Sequence, residues 1–185
     1  MTLSTINYEV MVDWDGTDWA GVPDFSEDID DISADVAYID WSRGKDDEEG
    51  NAPASTLQVQ MRYGLHSKYS LYNAASPLYG KIRPWLIIRV RAIHTATAYP
   101  VFFGFISSIK VNPHPSKQEV IFYVTDGIDL LARQLITQDY ESKSKMSDGE
   151  AVESVLNVAG WSANRRDIDI TGGADLLNYP DSYVY

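Results

Sequence analysis

The sequence contains no cysteine and only three histidines. Without cysteine the chain can form no disulfide, no thiolate nucleophile and no zinc ribbon. His66, His94 and His114 are far apart in the sequence, and none has a second histidine four residues away, as a helical metal site requires. No phosphate-binding glycine loop or nucleophile elbow is present either. We therefore expect a protein that is not an enzyme and that holds no cofactor.

Basic residues are also scarce, with 15 lysines and arginines against 27 acidic residues and a net charge of -12. A negative field of this size repels phosphate, so we expect no nucleic-acid partner and no anionic membrane partner. The longest apolar runs, WLII and VFFGFI, are too short to span a bilayer. The first residues, MTLSTINYEV, lack the basic and apolar regions of a signal peptide.

Alternating apolar and polar residues predict strands over the first two thirds of the chain. The clearest strand is Thr56–Tyr63, where Leu57, Val59, Met61 and Tyr63 share one face and polar residues occupy the other. The same pattern predicts further strands at Tyr8–Trp14, Asp35–Trp41, Pro84–Ala92, Tyr99–Val111 and Gln118–Asp126. The turn sequence NPHPS between the last two predicts a hairpin. A glycine within the fifth strand, Gly104, predicts a bulge or a close approach of another backbone.

Helical periodicity replaces alternation near the end of the chain. A first helix is predicted at Asp126–Thr137, with Asp126 as its N-cap, and a second at Ser147–Trp161. A short strand is predicted at 166–171, in RDIDIT. The fold class is therefore mainly β (α+β), with a β-barrel or sandwich domain at 1–125 and a helical appendage with a short returning strand at 126–185.

The best candidate metal site in the sequence is DWDGTDW, where Asp13, Asp15 and Asp18 offer alternating oxygen ligands. A calcium loop of the EF-hand type needs glycine at its sixth position and glutamate at its twelfth. Here Gly16 is fourth and Asp24 is twelfth, so an acidic loop is favoured over a calcium site.

Two further residue sets leave alternatives open. Asp167 and Asp169 lie two apart on a predicted strand, about 6.5 Å from each other, a spacing that glycoside hydrolases use. A chain with this many carboxylates provides such pairs by chance, so this reading is not favoured. The five tryptophans are either sugar-stacking platforms of a carbohydrate-binding β-sandwich adhesin module or anchors in the core and at interfaces.

Several motifs, taken in order, form one pattern. They are VDWDG before an acidic loop, DIS, SRGKDD, YSLYNAASPLYGKIRPW, FFGFISSI, TDGIDLL and VLNVAGW. This pattern resembles the N-terminal region of phage tail proteins of the baseplate-hub or tail-tip type. Lys45 stands where the family commonly has a second arginine, and Leu71 where it commonly has proline.

The resemblance implies a tail-tube-like β-barrel that forms a ring, with a trimer favoured, and that docks to the tail tube and other baseplate proteins. Such a virion protein is made in the host cytoplasm and becomes part of the tail, and its natural chain is expected to continue past Tyr185. The stiff loop NAASPLYGKIRP suits contacts with a neighbouring subunit. The residues expected at interfaces are Arg43, Lys45, Pro77, Leu78, Tyr79, Lys81, Arg83 and Pro84. Part of the negative charge is expected to face the lumen, where it would repel DNA.

Overall fold

The computed structural model describes residues 6–16, 22–42, 54–114, 116, 118–133 and 147–161. Among them are six strands and two α-helices, which confirms a mainly β protein. The strands are β1 (Asn7–Val12), β2 (Val36–Ser42), β3 (Thr56–Met61), β4 (Ile87–His94), β5 (Thr97–Asn112) and β6 (Glu119–Thr125). The helices are α1 (Gly127–Ala132) and α2 (Asp148–Val158). The predicted strand at 166–171 lies outside the described residues.

All six strands form one antiparallel sheet in the order β1-β4-β5-β6-β3-β2. The two strands at the edges, β1 and β2, are neighbours in the sequence but do not pair with each other. The sheet curls into a half-barrel, and the rings of Tyr8 on β1 and Trp41 on β2 approach to 6.1 Å between centroids. The predicted hairpin of β5 and β6 is confirmed by their antiparallel register.

The concave face of the sheet carries the core. Leu57, Val59 and Met61 of β3 are buried on it, as the alternation predicts. Tyr63 was predicted on the same face, but that prediction is wrong, since its side chain is exposed. The strand ends at Met61, and the chain turns at Gly64, whose φ is +90°.

The 62–86 segment between β3 and β4, here called the connector, covers this core. Tyr69 of the connector packs with Trp14 and Phe122, and the three ring centroids are 5.4 to 6.3 Å apart. The connector also buries Leu78, Ile82 and Leu86 in the same hydrophobic cluster. The long loop is thus part of the folded unit, since its apolar residues occupy the space that the curled sheet leaves open.

Gly104 occupies the close approach that the sequence predicts. A Cβ atom at this position would lie 2.3 Å from the backbone oxygen of Thr125 and 2.7 Å from a ring carbon of Phe102. Only glycine fits between these atoms without a shift of the neighbouring strand, because real Cβ atoms do not come this close to other atoms.

The chain divides into two compact units between Leu130 and Leu131. The helix α1 follows β6, and the Asp126 carboxylate accepts the N–H groups of Ile128 and Asp129, which confirms it as the N-cap. In the second unit, Ser147 and Glu150 form a capping box at the start of α2. The predicted domains, 1–125 and 126–185, stay a prediction, since much of the second lies outside the described residues. No helix in the described ranges has the length and apolar character needed to cross a bilayer.

A buried polar contact fixes the connector to the edge of the sheet. The Tyr69 hydroxyl donates to the Asp35 carboxylate at 2.6 Å, and Lys68 pairs with the same oxygen. Burial acts to raise the pKa of Asp35, but the hydrogen bonds from Lys68 and Tyr69 outweigh it and lower the pKa. Burial, with the neighbouring carboxylate, strongly raises the pKa of Tyr69, so the phenol remains a donor.

We expect Asp35→Asn to lower the free energy of unfolding by about 2 kcal/mol at neutral pH, because it removes a charged acceptor from a buried hydroxyl. The folded carboxyl has a lower pKa than the unfolded one, near 3.9. Its stabilisation is therefore present above that value and is lost as the pH falls through the lower folded pKa. Urea unfolding of both proteins between pH 7 and pH 2 should give curves that converge in acid. The control Asp40→Asn changes an exposed carboxylate and should leave the free energy of unfolding at neutral pH nearly unchanged. A difference for Asp35→Asn that stays constant from pH 7 to pH 2 would contradict the assignment.

Candidate docking surface

The connector exposes apolar side chains to solvent, although its Tyr69 and Leu78 side chains are buried. Tyr72 is 91% exposed and Leu71 is 51% exposed, next to the buried Tyr69. Exposed apolar residues on a well-fixed loop are typical of contact sites between proteins. We call Leu71 and Tyr72 the tip.

Hydrogen bonds within the connector hold the tip in place. The Asn73 side chain donates to the backbone oxygen of Ser67 at 2.9 Å, and its own side-chain oxygen accepts the N–H of Ala75 at 3.1 Å. The Ser76 hydroxyl donates to the backbone of Lys68 and accepts the N–H of Leu78 at 3.1 Å. These contacts join the two sides of the tip, so that little conformational entropy remains to be lost when it binds.

A groove of about 420 Å³ lies beside the tip. Ile109 and Val111, near the end of β5, pack on the core and line the groove together with the tip. His66 also lines it, and its Nδ1 atom is buried without a hydrogen-bond partner. A projecting aromatic ring beside an apolar groove provides both an anchor and a recess for a partner surface. The docking surface consists of His66, Leu71, Tyr72, Ile109, Val111 and Pro113.

The interface residues predicted from the sequence lie in different environments. Pro77, Tyr79 and Pro84 are at the surface, with Tyr79 56% exposed. Leu78 was predicted as an apolar anchor for a neighbouring subunit, but it is fully buried in the core of its own unit. It is therefore not available to a partner, because the connector folds back over the sheet. Arg43 and Lys45 lie outside the described residues.

Two of the four predicted basic contact residues, Lys81 and Arg83, bind the acidic loop of the same chain. The Lys81 ammonium lies 2.7 Å from the Asp15 carboxylate, and the Arg83 guanidinium donates to the backbone oxygen of Gly16. The hydrogen bond from Lys81 lowers the pKa of Asp15, and the same bond raises the pKa of Lys81. Lys81 and Arg83 therefore hold the connector against the loop that follows β1.

The candidate metal residues do not converge in the described part of the chain. Asp13 is buried and accepts the N–H of Asp24 at 3.2 Å, whereas Asp15 is paired with Lys81. Asp18 lies outside the described residues, and the described ranges contain no group of three acidic or histidine side chains that could hold a metal ion. A second buried carboxylate, Asp30, accepts the N–H of Glu27 at 3.1 Å, and its burial raises its pKa. These carboxylates organise the turns of the acidic loop.

The aromatic residues divide into buried and exposed groups. Trp14 is buried, with its indole N–H donating to the backbone oxygen of Ile29 at 3.1 Å, so it cannot stack a sugar. Trp41 is partly exposed at the edge of the sheet, and Trp19, Asp167 and Asp169 lie outside the described residues. Sequence reasoning did not select the tip, although the Leu-Tyr pair within a polar segment was its visible signal.

No protein-family model matches this sequence, and a search of curated proteins gives no match either.

Proposed function

We propose that this chain is a structural subunit of a phage-like tail, at the baseplate hub or tail tip, that binds copies of itself and docks other tail proteins. The observation that carries the proposal is the docking surface, where Leu71 and Tyr72 project beside an apolar groove. Its arrangement supports contact with another protein and provides no group positioned for a reaction.

The construction of the connector supports the same function. A subunit in a tail must hold its contact residues in a fixed position, because each copy repeats the same geometry around the assembly. Tyr69 fixes one side of the tip in the core and Leu78 fixes the other. The exposed residues between them are therefore presented by a rigid base, which favours tight contacts over adaptable ones.

The charge of the chain also supports a role beside nucleic acid without binding to it. A net charge of -12 gives a surface that repels phosphate within a Debye length, about 8 Å at physiological salt. A subunit that surrounds a DNA path benefits from such repulsion, since bound DNA would not pass. The location that follows is the virion tail, after synthesis in the host cytoplasm.

Negative-stain electron microscopy of the purified chain tests the proposal. We expect closed rings, with three-fold symmetry favoured as in the tail proteins that the motifs resemble, since a head-to-tail contact forms a ring when its rotation closes. Separate particles of single-chain size, together with saturable binding to a glycan panel, would instead support a carbohydrate-binding module and contradict the proposal.

A further inference from the structure

Within the described ranges, the backbone groups on the outer edge of β2 have no strand to pair with. The N–H of Arg62 donates to Asp35 at 2.7 Å, and the N–H of Asp126 donates to Ser55 at 3.1 Å on the other side of β3. Backbone N–H and C=O groups alternate in direction along a strand, so those of the even-numbered residues of β3 point toward β2. The backbone groups of their partners Tyr38 and Asp40 therefore point toward β3. Those of Ile39 and Trp41 point to the outer side of β2, away from the sheet. The described residues place no strand on that side.

The facing edge of β1 is only partly covered. Ile32 donates its N–H to the backbone oxygen of Val10 at 3.0 Å, and the N–H of Val10 donates to the Ser33 hydroxyl at 2.9 Å. By the same alternation, Tyr8 turns its backbone groups to this side, and residues 31–33 do not reach it. The edges of β1 and β2 therefore enclose a gap, here called the seam, which the ring contact between Tyr8 and Trp41 crosses.

The seam opens into an apolar groove of about 480 Å³ between the two edges. Tyr8 and Trp41 lie on the same face as the buried Val10 and Leu57, yet they are 44% and 38% exposed. This face of the sheet is therefore partly exposed along the seam, although Val10 and Leu57 beside it remain buried. The groove is lined by Tyr8, Val10, Ser33, Val36, Ala37, Tyr38, Ile39 and Trp41.

Unpaired carboxylates stand on both sides of the seam. Asp31 bridges to β1 and Asp40 is on the convex face of β2, and both are exposed. Neither forms an ion pair with a basic residue within the described part of the chain, and Asp31 only accepts bonds from Ser33. We call Asp31 and Asp40 the rim of the seam. A second copy of this chain, with its charge of -12, has poor electrostatic complementarity to this acidic rim.

We propose that the seam binds an extended segment of a different protein, with apolar residues at alternate positions and lysine or arginine between them. The segment adds to β2 as a seventh strand and hydrogen-bonds to the backbone of Ile39 and Trp41. Its apolar side chains enter the groove. Its basic side chains lie on the other face of the sheet. There the Cβ atom of the basic residue directly opposite Asp40 is about 5 Å from the Cβ atom of Asp40. The inference deepens the proposed function, since this partner is another component of the assembly.

A blocked seven-residue peptide of alternating valine and lysine is a suitable probe for calorimetric titration into the full chain. We expect saturable binding below about 1 mM. Two versions of the peptide with methylated backbone nitrogens sharpen the test. One carries the methyl groups on the backbone nitrogens of the valines, and the other on those of the lysines. An edge strand hydrogen-bonds to only one of the two alternating sets of N–H groups, so one version should bind and the other should not. Equal binding of both versions, or no binding of the parent peptide, would overturn the proposal.

The charge of the rim gives an independent comparison. Asp40→Lys should weaken binding of the valine–lysine peptide about fivefold and strengthen binding of a valine–glutamate peptide. The control Asp28→Lys makes the same change at an exposed residue that belongs to neither strand of the seam, and it should leave both affinities unchanged. Equal effects of the two substitutions would show general charge attraction only and would contradict the seam.

Self-association separates this inference from the proposed function. If the seam joins two copies of this chain, Asp40→Lys will change the oligomeric state and the peptide will not bind, which contradicts the inference while the ring prediction stands. If rings are absent but the peptide binds at the seam, the inference holds and the proposed function fails.

Discussion

Gly104→Ala is expected to lower the free energy of unfolding by about 3 kcal/mol, at the upper end of what overpacking costs. The added Cβ would lie 2.3 Å from the Thr125 backbone oxygen, and this atom belongs to a strand that cannot rotate away. The strand β6 would have to shift, and with it the pairing that joins β5 to β3. Urea unfolding monitored by circular dichroism measures the change as a lower midpoint with the same slope.

Gly80→Ala is the matched control for this substitution. Gly80 also needs glycine, since its φ is +77°, but an added Cβ there meets no atom within 4 Å. Its cost is therefore limited to backbone strain, about 1 kcal/mol. If the two variants are equally stable, the close approach of β6 to Gly104 is not as described.

Tyr72→Ser is expected to weaken self-association at least about tenfold without changing the stability of the subunit. A ring that is 91% exposed contributes little to the fold but can be a hot spot of an interface, where truncation costs about 2 kcal/mol or more. Sedimentation velocity over a dilution series gives the association constant, and urea unfolding checks the stability.

The same substitution at Tyr99 is the control. Tyr99 is also exposed, but it lies near the start of the 16-residue β5, whereas the docking surface is at the other end of that strand. Tyr99→Ser should leave association unchanged. If both variants assemble like the unmodified chain, the tip is not the contact surface.

The strand β3 could be predicted from the sequence because it has one buried face. In β3 the apolar residues Leu57, Val59 and Met61 recur at every second position, and the structure buries all three. The first helix and its cap at Asp126 could be predicted for a similar reason, since a capping carboxylate acts within a few residues of itself.

The order of the strands could not be predicted, because pairing between distant segments leaves no local pattern. β1 and β2 follow each other in the sequence and yet form opposite edges of the sheet. The open seam between them is a consequence of that order, so it was not visible either.

The connector shows a second limit. Leu78 lies between Pro77 and Tyr79 in a segment with the composition of a surface loop, but its side chain is fully buried. Its burial depends on the cavity that the curled sheet creates, and this cavity is a property of the whole unit. The Leu71-Tyr72 pair was visible in the sequence, but its exposure could be recognised only once the buried residues of the connector were known.

The mass of the purified chain in solution, measured by light scattering over a range of concentrations, tests the central claim most directly. The claim is that the chain assembles with copies of itself into a closed particle. It predicts a closed particle, with three chains of 20.7 kDa giving about 62 kDa, that dissociates on dilution to single chains. A mass of one chain at every concentration would contradict it.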